Sequence, residues 1–194
     1  MSKNYWKDTL TSKTEEFYKK NKSEIVDIIL FGSVMKGKEK PNDVDLLIIF
    51  KEKKNLDLAH KLKSILRIKT DIPIEITIKT YSELFKKTFH IRESILTEGY
   101  SILNKINLSE GFGYKSMIMF QYQLKGKTNS ERMRFYYSLY GRNSKGMLER
   151  LQAVKFTDTV IMCPVDNQEK MHAFLDSWEI EFKEIPLLIP LRLV

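Results

Sequence analysis

The sequence predicts an α/β (α+β) protein, in which a mixed sheet flanked by helices is followed by a second, small α+β domain. Three observations lead there. The first hundred residues alternate amphipathic segments of helical period with short, β-branched apolar runs. A polar, glycine-containing break lies between Asn107 and Gly113. Beyond it, helical and strand patterns resume with a different charge balance. At 194 residues, 42% hydrophobic and 30% charged, the chain can bury a real core as one large domain or two small ones. The reading adopted is two, 1–107 and 108–194.

The elements follow in order. Tyr5 to Asn21 spaces Trp6, Leu10, Phe17 and Tyr18 near a helical period, with Asn21 or Ser23 to end the helix. Ile25 to Phe31 (IVDIILF) is an apolar strand that stops at Gly32-Ser33 and gives way to a basic loop, Lys36 to Asn42. Asp43 to Phe50 (DVDLLIIF) ends in a continuous apolar run suited to a central strand covered on both faces, paired with the first. Leu56 to Ile68 reads as a surface helix on a sheet. Ile72 to Ile78 alternates strictly, isoleucines on one face and Pro73, Glu75 and Thr77 on the other. Tyr81 to Leu96 is expected to be helical, and Gly99 with Ile102-Leu103 to add a short strand.

After the break, helices are expected at Tyr114 to Leu124, Ser130 to Tyr140 and Lys145 to Leu151, divided by turns at Gly126, Gly141 and Gly146. A strand at Thr159 to Val165, a helix at Gln168 to Trp178 and a strand at Glu181 to Ile189 complete the α+β pattern. There is no internal repeat and no low-complexity tract.

Composition restricts the function classes. No apolar run approaches the roughly 20 residues of a membrane span, and the start lacks a signal-peptide core, so a cytoplasmic protein without a membrane partner is expected. The single cysteine, Cys163, sits in an apolar run and reads as a buried thiol without an intrachain disulfide. His60, His90 and His172 share no metal-ligand spacing with it, which argues against a zinc site. The formal net charge of +8 favours polyanionic partners. The surplus is concentrated: Lys115 to Lys155 holds nine Lys/Arg against two acids, whereas Phe156 to Val194 has three bases against seven acids.

The residues that carry chemistry lie in Phe31 to Phe50, FGSVMKGKEKPNDVDLLIIF. A strand running into Gly32-Ser33 exposes backbone N–H groups, and glycine lets that backbone approach an anion such as a triphosphate. Asp43 and Asp45, two apart at a strand start, project from one face. Two carboxylates near one point repel unless a cation sits between them, and hard oxygen ligands favour magnesium or manganese. A Gly-Ser turn alone is common, and Asp-x-Asp alone is ordinary turn chemistry. It is their order along one stretch that carries the argument.

Gly32-Ser33, the basic residue and glycine at Lys36-Gly37, and Asp-x-Asp on the following strand resemble the signature of the DNA polymerase β nucleotidyltransferase superfamily, most closely its minimal nucleotidyltransferases. Asn42 stands where many members carry another acid. The resemblance covers about Ile25 to Ile78 and implies a nucleotidyltransferase-type sheet. It further implies that Asp43 and Asp45 bind Mg2+ (or Mn2+), that Gly32 and Ser33, helped by Lys36, hold the phosphates of a nucleoside triphosphate such as ATP, and that a third carboxylate comes from a later strand. Glu75 is the candidate, as catalytic residue and metal ligand, with Asp71 the alternative. Lys36, Lys38 and Lys40 are candidates to assist the leaving group or are simply solvated.

In the basic middle segment, Arg132, Arg134, Arg142, Lys145 and Arg150 are interleaved with Phe135, Tyr136, Tyr137 and Tyr140. Such residues neutralise phosphates and stack on bases, though aromatics at helical spacing also build cores. The nucleic-acid candidates are Arg132, Arg134, Tyr137, Arg142 and Lys145. The function expected is therefore magnesium-dependent transfer of a nucleoside monophosphate to a hydroxyl, with RNA favoured as acceptor. The alternatives are an antitoxin-type enzyme that modifies a partner protein and a non-catalytic nucleic-acid-binding module.

Overall fold

The computed structural model describes residues 5–38, 41–67 and 72–193 and divides into two compact units, 1–112 and 113–194. In the first, helix α1 (Tyr5–Asn21) buries Leu10, Thr14 and Phe17 at helical spacing, and Asn21 caps its end by donating from Nδ2 to the Phe17 carbonyl at 2.7 Å. Strand β1 (Ile25–Phe31) pairs antiparallel with β2 (Val44–Phe50), Phe31 opposite Asp45. Helix α2 (Leu56–Arg67) buries Ala59, Leu62 and Leu66 and provides the crossover that lets β3 (Ile74–Thr80) run parallel to β2, Asp45 opposite Glu75. Helix α3 (Arg92–Glu98), strands β4 (Tyr100–Ser101) and β5 (Ile106–Asn107) and a single turn α4 (Leu108–Gly111) follow. The mixed sheet has the order β3-β2-β1-β4-β5.

This sheet is covered on both faces. Ile28, Leu30, Leu46, Ile48, Phe50 and Ile74 pack in one core with Leu10 and Phe17 of α1 and Leu62 and Leu66 of α2. Ile29, Phe31, Leu47 and Ile49 pack on the opposite face with Phe89 and Ile95. The continuous apolar run of β2 is thus divided between two cores. One buried acid interrupts the pattern. Asp27, beside an irregularity in β1, accepts hydrogen bonds from Ser101 Oγ (2.7 Å), Asn104 Nδ2 (3.1 Å) and the Ile28 amide (2.7 Å). Burial nevertheless pushes its carboxyl above the ordinary aspartate range.

The helix expected over Tyr81 to Leu96 is broken. Thr80 and Glu83 form a reciprocal capping box that starts only a short 3-10 turn, Tyr81–Phe85, and the chain then dips to bury Phe89 before α3 begins. The expected short strand lies at Tyr100–Ser101, while Ile102 and Leu103 are in the turn that follows.

The second unit opens with a larger difference. Tyr114–Gln123 is strand β6, not a helix. Ser116, Ile118, Phe120 and Tyr122 alternate inward, but Met117 is buried as well, so the strand lacks the clean polar face that marks period two. It is followed by α5 (Asn129–Tyr140), α6 (Met147–Arg150), β7 (Val154–Thr157), β8 (Val160–Pro164), α7 (Gln168–Ser177) and β9 (Glu181–Pro190). The antiparallel sheet runs β7-β8-β6-β9. Its core joins Ile118, Phe120 and Tyr122 to Phe135 and Leu139 of α5 and Met171 and Leu175 of α7. Cys163 is fully buried there, its thiol pushed up to about 12 by burial.

Candidate active site

β1 ends at Phe31 in extended geometry, and Gly32–Lys36 turns into a 3-10 helix held down by buried Val34 and closed by Gly37 in the left-handed region (φ 87°). Gly32 itself has φ 81°, a conformation that strains any L side chain. A β-carbon there would also collide with Asp45 Oδ2. The turn and the acid therefore touch, and only the absence of a side chain at position 32 allows it.

Asp45 lies on β2 between Phe31 of β1 and Glu75 of β3, the register joining all three across the sheet. Alternation places it on the face of Leu47 and Ile49, toward Phe89 and Ile95. Glu75 shares that face, opposite Ile74, Ile76 and Ile78, which pack with α1 and α2. Asp43 immediately precedes β2 and is half-buried. The Asp45 carboxyl is held above the ordinary aspartate value, first by burial and then by the negative charges of Asp43, Glu75 and Glu98.

Glu98 is the acid that sequence reasoning missed. It sits at the end of α3, largely buried, and its carboxylate pairs with Lys36 Nζ at 3.0 Å. No spacing in the sequence ties Glu98 to Asp45; the packing of α3 on the Gly32–Lys36 turn does. Lys36, expected on a phosphate, is thus occupied by a carboxylate. Asp71 and Lys40 lie outside the described residues. Among the described residues, no three His, Cys, Asp or Glu side chains converge closely enough to make a ready metal site. The acids surround Asp45 rather than meeting at one point.

Residues 12–106 match the family model described as Polymerase beta, Nucleotidyltransferase. The first unit is a polymerase β-type nucleotidyltransferase domain. No curated protein matches the chain. Members of this family generally use a nucleoside triphosphate and a divalent metal. The donor set of the nucleotidyltransferase domain fits such a cation in kind: all its candidate ligands are carboxylate oxygens, and a cation near Asp45 would offset the negative charges of Asp43, Glu75 and Glu98 that, after burial, raise its carboxyl.

The nucleic-acid candidates fall in the second unit and do not all converge. Arg134, Tyr137, Arg142 and Lys145 line one cavity. Arg132 does not. Its Nε donates to the Lys127 carbonyl at 3.0 Å and its Nη2 to that of Leu124 at 3.1 Å, tying the start of α5 to the preceding turn. Among the described residues, no helix is long and apolar enough to cross a membrane.

Proposed function

We propose that the protein is a divalent-cation-dependent enzyme that transfers a nucleoside monophosphate from a nucleoside triphosphate to a hydroxyl group, with RNA as the acceptor. The observation that carries the reading is the contact between Asp45 and Gly32 within a ring of further acids, in a domain of this family. Gly32 and Ser33 offer backbone N–H groups to the triphosphate. Lys36 exchanges Glu98 for a phosphate oxygen as substrate enters. Asp43, Asp45 and Glu75 would hold the cation, whose charge polarises the α-phosphate and offsets that of departing pyrophosphate. The acceptor oxygen forms its bond to the α-phosphorus as the bond from that phosphorus to the bridging oxygen breaks. Glu75, exposed on β3, is the carboxylate available to take the hydroxyl proton.

RNA is favoured by the nine bases against two acids between Lys115 and Lys155. A cytoplasmic location accords with the supply of both substrates. The test is incubation of the protein with each labelled nucleoside triphosphate, magnesium, and either total RNA or cell lysate. Labelled RNA is the expected product. A labelled protein instead would replace RNA by an antitoxin-type partner, and no labelled product with any of the nucleotides would leave a non-catalytic binding module.

A further inference from the structure

In the second unit, α5, the loop 141–146 and α6 line an open cavity of about 440 Å³, within the range of ligand sites. Its lining carries Arg134, Arg142, Lys145 and Arg150 and no carboxylate. Four like charges around one hollow repel one another, and an anion between them removes that cost. Lys145 is partly neutralised by Glu149 at 2.6 Å. The three arginines form no ion pair among the described residues.

Two glycines gather these charges. A β-carbon on Gly141 (φ 84°) would strike the Ser144 carbonyl oxygen, and one on Gly146 would strike the backbone of Leu139, Tyr140 and Gly141. The loop is therefore pinched at its base, backbone on backbone, with Arg142 to Lys145 displayed to solvent. Arg142 is steadied from α5, its guanidinium 4.8 Å from the centre of the Tyr137 ring.

The aromatic rings of α5 are already engaged. Phe135 is buried in the core, Tyr136 stacks on Tyr140 (5.8 Å between centroids, 24° between planes), and Tyr137 carries Arg142. What remains at the cavity is a set of guanidinium forks with no carboxylate among them, which match phosphate oxygens. We propose that this cavity grips the phosphate groups of a nucleic-acid strand. It rests on the function proposed above only for the choice of RNA as the strand.

The test is binding of short fluorescent RNA and DNA strands to the full chain, read by anisotropy between about 50 and 200 mM salt. Arg142→Ala with Arg150→Ala is expected to weaken binding roughly tenfold or more and to flatten the log–log salt slope by about 1.4, two contacts at about 0.7 each. Lys53→Ala with Lys87→Ala removes the same charge from exposed positions of the first unit and should leave the slope nearly unchanged. Arg142→Lys with Arg150→Lys keeps the charge and should restore most of the slope. Equal losses from the cavity and control pairs would overturn the proposal, as would an unchanged slope in the cavity pair or no binding of either strand by the wild type. Asp45→Asn is expected to bind RNA normally while losing nucleotide transfer, so failure of the cavity and failure of the transferase reading give different results.

Discussion

The carboxylate of Asp45 fills the space that a β-carbon on Gly32 would need, so the Gly32–Lys36 turn and the central acid of the sheet are in direct contact. Gly32→Ala should therefore do two things at once. It forces an L side chain into φ 81°, a cost of about 1–2 kcal/mol, and it displaces the Asp45 carboxylate. Denaturant melts should show the first and a labelled-nucleotide assay the second. Transfer at the wild-type rate would separate the contact from catalysis.

Asp45→Asn should reduce transfer on the order of 100-fold or more, beyond what loss of a supporting outer partner costs. It should also change the dependence of apo stability on pH. The Asp45 carboxyl is harder to ionise in the folded chain than at its ordinary value of 3.8. The folded state then retains the proton longer than the unfolded one, so this contribution is fully present below that value and is lost as pH rises through the folded one. Asparagine has no such loss. Melting of the metal-free proteins should show the variant more stable than wild type near neutrality, with the gap closing at acid pH. A gap that widens toward acid pH would contradict the assignment.

The third carboxylate can be identified by rate. Glu75→Gln should slow transfer far more than Asp71→Asn. Glu98→Gln, which breaks only the partly exposed pair with Lys36, should cost no more than about tenfold. A Glu98→Gln loss as deep as that of Glu75→Gln would move the role from β3 to the end of α3.

Phe135 belongs to the core and not to the proposed binding surface. It is 1% exposed and surrounded by Tyr122, Tyr136, Phe174 and Trp178 at 5.6 to 5.9 Å between ring centroids. Phe135→Ala should destabilise the second unit by about 3–5 kcal/mol, visible as an earlier unfolding transition. The same change at exposed Arg142 should leave that transition in place.

What could be read from the sequence was whatever one short window contains. Leu46–Phe50 announces itself as a strand because it is one unbroken apolar run, Ile25–Phe31 because its apolar run is interrupted only by Asp27, and α1 and α2 by the spacing of their buried residues. Gly32, Ser33, Asp43 and Asp45 lie within a single strand–turn–strand stretch. β6 was hidden because Met117, Ile118 and Phe120 are buried on both sides, leaving too little alternation to outweigh its methionines. The break between Phe85 and Arg92 depends on burying Phe89 against β1 and β2, a tertiary demand that no local pattern encodes. Glu98 was invisible for the same reason, since its only tie to Asp45 is through the fold.

The double pairing of β2 bears on how the protein breathes. From Val44 to Phe50 the strand is bonded to β3, and from Asp45 to Phe50 it is opposed by β1 as well. Such amides exchange with solvent only when the whole unit opens, whereas short outer strands fray on their own. Asp45 thus rides on a strand paired on both sides, while Glu98 sits at the end of a seven-residue helix beside the two-residue strand β4. Any motion that admits substrate is therefore cheapest on the α3 side, with Lys36 and Glu98 parting while the Asp45 strand stays still.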